Sequence, residues 1–236
     1  MKCLILAGGF GTRLYPLTRN RAKALLEYKG QPLINHIVRM VPPHIPVLVN
    51  ISRRFEAEFR RWQQTAPREV TILVENVMKE EDKLGAVGSL DFWITDVPIT
   101  EDLLVIAGDN YFEFGLPGFL ESYDGQHTLV AVFDVGDRNL ARQFGVVRLD
   151  GIRIAEFQEK PAVPQSSLVA TACYVLPSRV FPLLRHCCQK GKRDNLGGFI
   201  AHLVDNDEVH AYAFTEPWVD IGSIENLVSK DNIETT

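Results

Sequence analysis

The stretch Leu4-Ile5-Leu6-Ala7-Gly8-Gly9-Phe10-Gly11-Thr12-Arg13-Leu14 limits what this chain can fold into more than any other. An apolar run this short at the start of a chain predicts a buried parallel strand. The glycines at its end let the backbone turn tightly and bring N–H groups against a ligand. A phosphate suits such a loop, and Arg13 adds a planar, permanently charged donor beside it. An ordinary β-to-α turn carries the same glycines, so the rest of the chain has to decide between the two.

Downstream, apolar strands alternate with amphipathic helices. Strands are predicted at 47–51, 70–74 and 103–107, and helices from Leu33 to Val41, over 55–62 and from Leu84 through Trp93. This alternation predicts an α/β fold: a Rossmann-like, open, mixed and mostly parallel sheet flanked by helices. Such sheets bind ligands at the strand ends, where Gly8 to Arg13, Glu75 and Asp109 fall. The second half is β-rich, with strands at 128–134, 144–149, 152–157, 168–176 and 209–214. Asp150-Gly151 predicts a hairpin between two of them. Helices are expected at 180–190, 196–205 and 224–233, the last capped by Ser223. Pro161 is expected to push Lys160 into an extended conformation. No linker interrupts the chain, which predicts one domain over 1–236 with halves 1–125 and 126–236.

Charge and cysteine usage narrow the function. A net charge of −5 and a pI near 5.7 argue against non-specific nucleic-acid binding. No apolar run approaches the roughly 18 residues of a membrane span. The N-terminal apolar run is too short for a signal peptide. Cys3, Cys173, Cys187 and Cys188 form no Cys-x-x-Cys pair, which predicts reduced thiols in a cytoplasmic protein. The six histidines show no metal-ligand spacing.

Four features carry chemistry. The glycine loop with Arg13 and Lys23 suits a polyphosphate. Asp109 ends a strand and Asp220 follows Trp218; two carboxylates without histidine partners suit Mg²⁺, a hard ion that takes carboxylate and phosphate oxygens. Glu159-Lys160 suits a sugar or a further phosphate. Each has a bland alternative, a turn cap, a helix cap or a solvated ion pair, and spacing leaves open whether Asp109 and Asp220 meet.

Taken together, these segments resemble the sugar-1-phosphate nucleotidylyltransferases, also called nucleotide-sugar pyrophosphorylases. The resemblance rests on Leu6-Ala7-Gly8-Gly9-Phe10-Gly11-Thr12-Arg13-Leu14-Tyr15-Pro16-Leu17-Thr18, Leu84-Gly85-Ala86-Val87-Gly88 and Gly108-Asp109-Asn110. It continues through Phe144-Gly145-Val146-Val147, Glu159-Lys160-Pro161 and Trp218-Val219-Asp220-Ile221-Gly222, and covers nearly the whole chain. It implies attack of a sugar 1-phosphate oxygen on the α-phosphorus of a nucleoside triphosphate, with release of pyrophosphate. The nucleophile is already ionised at neutral pH, so no general base is needed, and the work is positioning and charge stabilisation.

By the same resemblance, Arg13, Lys23 and Lys160 are catalytic. Leu6, Ala7, Gly8, Gly9, Gly11, Thr12, Glu75 and Gly85 bind the nucleotide. Gly145, Glu159, Lys160 and Thr171 bind the sugar phosphate, and Asp109 and Asp220 hold Mg²⁺. Residues 1–125 become the nucleotide half and 126–236 the sugar-phosphate half. The base stays open between thymidylyl and guanylyl transfer, with glucose 1-phosphate or mannose 1-phosphate as acceptor. A homo-oligomer is allowed, and because the chain stops soon after Asp220 it is expected to be the catalytic domain alone. Three departures stand out: Ala22 where the signature has proline before the lysine, Ala86-Val87 for Thr-Ala, and Ala172 for glycine. Ala22 predicts a looser loop around Lys23. The alternative is a non-catalytic homologue that binds nucleotide-sugars. A nicotinamide dehydrogenase is excluded, because Gly9-Phe10-Gly11 lacks the third glycine and no acid ends the second strand.

Overall fold

The strands and helices follow the apolar pattern closely in this computed structural model, which describes residues 1–222. The helix expected over 224–233 and its cap Ser223 lie outside the described residues. In chain order, β1 (Lys2–Leu6) leads to the short pair β2 (Glu27–Tyr28) and β3 (Gln31–Pro32), then α1 (Leu33–Met40), β4 (Val47–Ser52), α2 (Glu56–Gln63) and β5 (Thr71–Glu75). Next come α3 (Ala86–Asp96), β6 (Leu103–Ala107), β7 (Asn110–Phe112), α4 (Leu116–Glu121), β8 (Thr128–Asp134) and α5 (Arg138–Ala141). The chain continues with β9 (Gly145–Asp150), β10 (Arg153–Glu159), β11 (Leu168–Leu176), α6 (Phe181–Gln189), α7 (Leu196–Asn206), β12 (Val209–Phe214) and β13 (Trp218–Asp220). This is a mixed α/β protein with a large sheet flanked by helices.

The chain divides into two compact units, each assembled from separate stretches. One comprises, among the described residues, 2–83, 106–113 and 216–222. Here β1, β4 and β5 run parallel, with β4 at the centre. Every residue of β4 is buried, as expected for a strand covered on both faces. The helix α1 turns Leu33, Ile34, Ile37 and Val38 inward, and α2 contributes Phe59 and Trp62. Each such side chain stabilises the unit by about 1.5–3 kcal/mol relative to leaving it exposed.

The other unit comprises residues 84–105 and 114–215. Its strands lie in the order β11, β8, β12, β10, β9, and β9 also pairs with β11, so the set closes on itself. Only β12 and β8 are parallel among these pairings. The core includes Val130, Val132, Phe119, Val175, Phe199 and Leu203.

Three local details differ from expectation. Asp150 pairs with Arg153, so the hairpin tip is Gly151-Ile152, one residue later than predicted. Gly151 has φ +59°, and Ile152 is 66% exposed, which suits a tip with glycine at its first position. Lys160 is not extended: it has φ +46°. Its N–H donates to Phe144 O at 3.0 Å, so the hairpin's pairing overrides the local influence of Pro161. The short helices α4 and α5 were not anticipated, because four to six residues carry too little periodicity to read.

Candidate active site

The glycine loop is shaped by contacts within its own unit. Gly8 O accepts the Ser52 hydroxyl, and a Cβ on Gly8 would come within 3.2 Å of Asn50 Oδ1. Gly11 has φ +62°, a left-handed conformation that favours glycine, and its carbonyl accepts Thr18 Oγ1 at 2.6 Å. Gly9 has open space where a side chain would sit. Thr12 and Arg13 are exposed, and Thr12 Oγ1 lies 3.5 Å from Glu80 Oε1. Leu6 and Ala7 are tied into adjacent backbone: Gly108 N–H donates to Leu6 O, and Ala7 N–H donates to Asn50 O.

Lys23 and Asp109 form an ion pair at 2.7 Å, with the lysine side chain only 15% exposed. The expected looseness around Lys23 does not occur. Ala22 is fully buried, and its N–H donates to Glu58 Oε2 at 2.8 Å, a bond that proline could not make. Asp109 Oδ1 accepts from Asn110 Nδ2, and Trp218 Nε1 donates to Asn110 Oδ1 at 2.7 Å. The unanticipated pairing of β7 with β13 sets Asp220 opposite Asn110, and Ile221 N–H donates to Asp109 O. Asp109 and Asp220 therefore sit on neighbouring backbone segments, although 111 positions separate them in sequence. Two carboxylates so placed, with a lysine at hand to offset charge, fit a hard divalent cation.

One apolar cluster explains why these segments converge. Leu14, Leu26, Tyr28, Leu33, Tyr111 and Ile221 pack together in this unit. Leu14 follows Arg13, Leu26 lies three residues after Lys23, Tyr111 two after Asp109, and Ile221 one after Asp220. Burial of the apolar residues thus carries the charged ones into place.

Glu75 is 4% exposed, and its Oε1 accepts Asn50 Nδ2 at 2.7 Å. Its carboxylate is thus tied to the Gly8 wall through Asn50.

Gly85 belongs to the other unit. It caps α3 with φ +79°, and a Cβ there would lie 2.3 Å from Arg193 O. The N–H groups of Val87 and Gly88 both donate to Arg193 O, and Ala86 N–H donates to Asp194 O. The Leu84-to-Gly88 loop is therefore clamped to the segment just before α7.

Glu159 ends β10, and its side chain crosses two glycines. A Cβ on Gly197 would lie 1.8 Å from Glu159 Oε2, and one on Gly145 would meet Phe157 at 2.3 Å and Glu159 Oε2 at 3.2 Å. Gly197 is in the first turn of α7, whose N-cap Asn195 accepts Gly198 N–H at 2.6 Å. Burial pushes the Glu159 carboxyl above its ordinary value, with Lys160 opposing; Lys160 Nζ stands 4.0 Å away. Thr171 is 1% exposed, and its hydroxyl donates to Ala131 O at 3.0 Å. Its neighbour Ala172, in the irregular part of β11, has φ +56°. All four cysteines are free and buried; burial raises the Cys3, Cys187 and Cys188 thiols, which makes them poor nucleophiles.

Sequence reasoning missed Asn50, Ser52, Glu58, Arg193 and Gly197. None carries a motif, since each acts through a partner distant in sequence. The Gly197-Gly198 pair opening a helix was the one visible signal. Among the described residues no helix is long and apolar enough to cross a membrane.

Comparison with known proteins places the chain in a family. The nucleotidyl transferase family profile matches residues 2–235. The chain belongs to that family. It is 29% identical over 225 residues to the bifunctional protein GlmU of Methanocaldococcus jannaschii, covering 94% of this chain and 51% of that one. It is 28% identical over 228 residues to a Sulfolobus acidocaldarius protein provisionally named mannose-1-phosphate guanyltransferase, covering 94% and 60%. The chain thus spans about half to three-fifths of the length of these curated relatives. Among solved structures, it matches a Bacillus anthracis protein provisionally named glucose-1-phosphate thymidylyltransferase, in complex with sucrose. That match has a TM-score of 0.84 and 25% identity, over 96% of this chain and 92% of that one. A UDP-glucose pyrophosphorylase complexed with UDP-glucose shares the fold, with a TM-score of 0.77 at 20% identity, over 96% and 95%.

Proposed function

We propose that this protein transfers a nucleotidyl group from a nucleoside triphosphate to a sugar 1-phosphate. The sugar phosphate oxygen attacks the α-phosphorus, a new P–O bond forms, and the bond to the leaving pyrophosphate breaks. The observation that carries this reading is the Lys23–Asp109 ion pair, with the glycine loop and Asp220 held around it by one apolar cluster. Two anions have to be brought together, and fixed cations with a divalent metal offset their repulsion. Arg13, Lys23 and Lys160 are assigned to the phosphates. Leu6, Ala7, Gly8, Gly9, Gly11, Thr12, Glu75 and Gly85 are assigned to the nucleotide, and Gly145, Glu159 and Thr171 to the sugar. Asp109 and Asp220 would hold Mg²⁺, which when bound supplies charge neutralisation of the triphosphate. The narrower assignment is thymidylyl transfer to glucose 1-phosphate or guanylyl transfer to mannose 1-phosphate, in line with the names of the relatives.

The test is pyrophosphate release from a matrix of nucleoside triphosphates and sugar 1-phosphates with Mg²⁺. Release with dTTP or GTP, lost in Asp109→Ala, is the expected outcome. Silence across the matrix together with tight nucleotide-sugar binding would identify a binding protein and overturn the proposal. Metal-dependent turnover that survives in Asp109→Ala would remove Asp109 from the metal site.

A further inference from the structure

The turn after α4 and the start of β12 bring together three side chains unrelated to the substrate residues. Asp124, His127 and His210 offer one ligand atom each, all within 4.8 Å of one another. The sequence did not show this group, because 83 positions separate the two histidines. Their rings lie 4.7 Å apart between centroids. The site is built rather than accidental on two counts.

First, the Asp124 carboxylate is held in place. Its Oδ1 accepts the backbone N–H groups of Gln126 and His127, each at 2.8 Å. That leaves Oδ2 to face His127 Nδ1 at 2.6 Å and His210 Nδ1 at 3.6 Å.

Second, His210 is oriented by a carboxylate on its far side. Its Nε2 lies 2.8 Å from Glu208 Oε1. In the tautomer that donates Nε2–H to Glu208, Nδ1 is unprotonated and stands 3.6 Å from Asp124 Oδ2. A carboxylate behind an imidazole, fixing its tautomer and raising its basicity, is the arrangement that supports histidine ligands in metal sites.

We propose that Asp124, His127 and His210 form a surface site for a divalent transition-metal ion of the zinc class, with Glu208 supporting His210. The ion takes Asp124 Oδ2 and the Nδ1 atoms of both histidines. It replaces the proton between Asp124 Oδ2 and His127 Nδ1, which moves to His127 Nε2, or to solvent where the ring was already doubly protonated, and water completes a tetrahedral shell. Two imidazoles and one carboxylate select Zn²⁺, Co²⁺ or Ni²⁺ over Mg²⁺, which prefers an all-oxygen shell. The ion ties the turn before β8 to β12. These strands are parallel neighbours, with His210 in register with Leu129. The site uses none of the residues assigned to nucleotide, sugar phosphate or Mg²⁺, so its fate and that of the transferase reading are separable.

The experiment is a titration of tag-free, metal-stripped full chain with CoCl₂, followed by visible absorption, and a parallel thermal-unfolding series with ZnCl₂. Intense d–d bands saturating at one ion per chain are expected, with an upward shift in Tm on adding Zn²⁺ and no competition from millimolar Mg²⁺. His127→Ala and His210→Ala should abolish both signals. Asp124→Asn, which keeps the backbone hydrogen bonds of the turn, should weaken binding strongly. Glu208→Gln leaves every ligand in place and should lower affinity by about 10- to 100-fold. Variant folding is checked by the Tm without metal. Absent bands in the wild type, bands that persist in both histidine variants, or thiolate charge-transfer bands that place the cobalt on cysteine would each overturn the proposal.

Discussion

Gly197→Ala should separate stability from activity. The added methyl would sit 1.8 Å from Glu159 Oε2 and 2.7 Å from its Cδ. Carbon–oxygen contacts are comfortable only well beyond 3 Å, so the carboxyl has to retreat by at least ~1.5 Å. It is the free end of a flexible side chain, and an off-rotamer shift costs about 0.5–1.5 kcal/mol. Alanine in a helix gains up to about 1 kcal/mol over glycine, somewhat less in a first turn. The two effects nearly cancel, so thermal unfolding should change little. Activity should not escape. If Glu159 accepts hydroxyl hydrogens of the sugar, its displacement removes a hydrogen bond to a charged group worth about 1.5–3 kcal/mol. That corresponds to a loss of roughly 10- to 100-fold in kcat/KM for the sugar 1-phosphate. The assay is steady-state pyrophosphate release, with each variant's unfolding curve beside it. A double-mutant cycle with Glu159→Ala isolates the route, because Gly197→Ala should cost nothing once the carboxylate is gone. Wild-type kinetics in Gly197→Ala, or an undiminished cost in the Glu159→Ala background, would refute the reasoning.

Three further outcomes are expected. Ala172→Gly relieves a left-handed alanine at φ +56°; the relief of about 1–2 kcal/mol, less the entropy glycine loses, should stabilise the protein by about 0.5–1 kcal/mol in urea unfolding. A destabilised variant would show that the Ala172 methyl packs usefully. Ala22→Pro fits the backbone at φ −65° but forfeits the N–H bond to Glu58, so it should destabilise by about 1 kcal/mol instead of rigidifying the loop. A higher Tm in that variant would sink this account. The Glu159 carboxyl, raised by burial, binds its proton more tightly in the folded than in the unfolded chain. Its contribution to stability is therefore present at low pH and lost as pH rises through the folded-state pKa. Activity runs the opposite way: kcat/KM for the sugar phosphate should fall as pH drops through that pKa, and the limb should vanish in Glu159→Gln. An acid limb unchanged in that variant would assign it to another group.

Much of the candidate site was legible because its chemistry sits in short local motifs. Gly11 announces its left-handed backbone by being glycine, and Lys23, Asp109, Lys160 and Asp220 were singled out from their immediate surroundings. What each touches was not legible. The local influence of Pro161 on Lys160 lost to a hydrogen bond from the hairpin, and the missing proline at Ala22 was offset by Glu58, 36 residues away.

The sequence by itself determined the alternation of β1, α1, β4, α2 and β5, the limits of β6, β8, β11 and β12, and the run of family motifs. Those follow from apolar periodicity and residue type, which act over a few positions. Only the tertiary structure decided that β7 pairs with β13, which sets Asp220 beside Asp109, that Gly197 underlies Glu159, and that His127 and His210 share Asp124. Each depends on strand register and close packing between segments far apart in the chain. That information resides in the summed burial of many side chains and in no single motif.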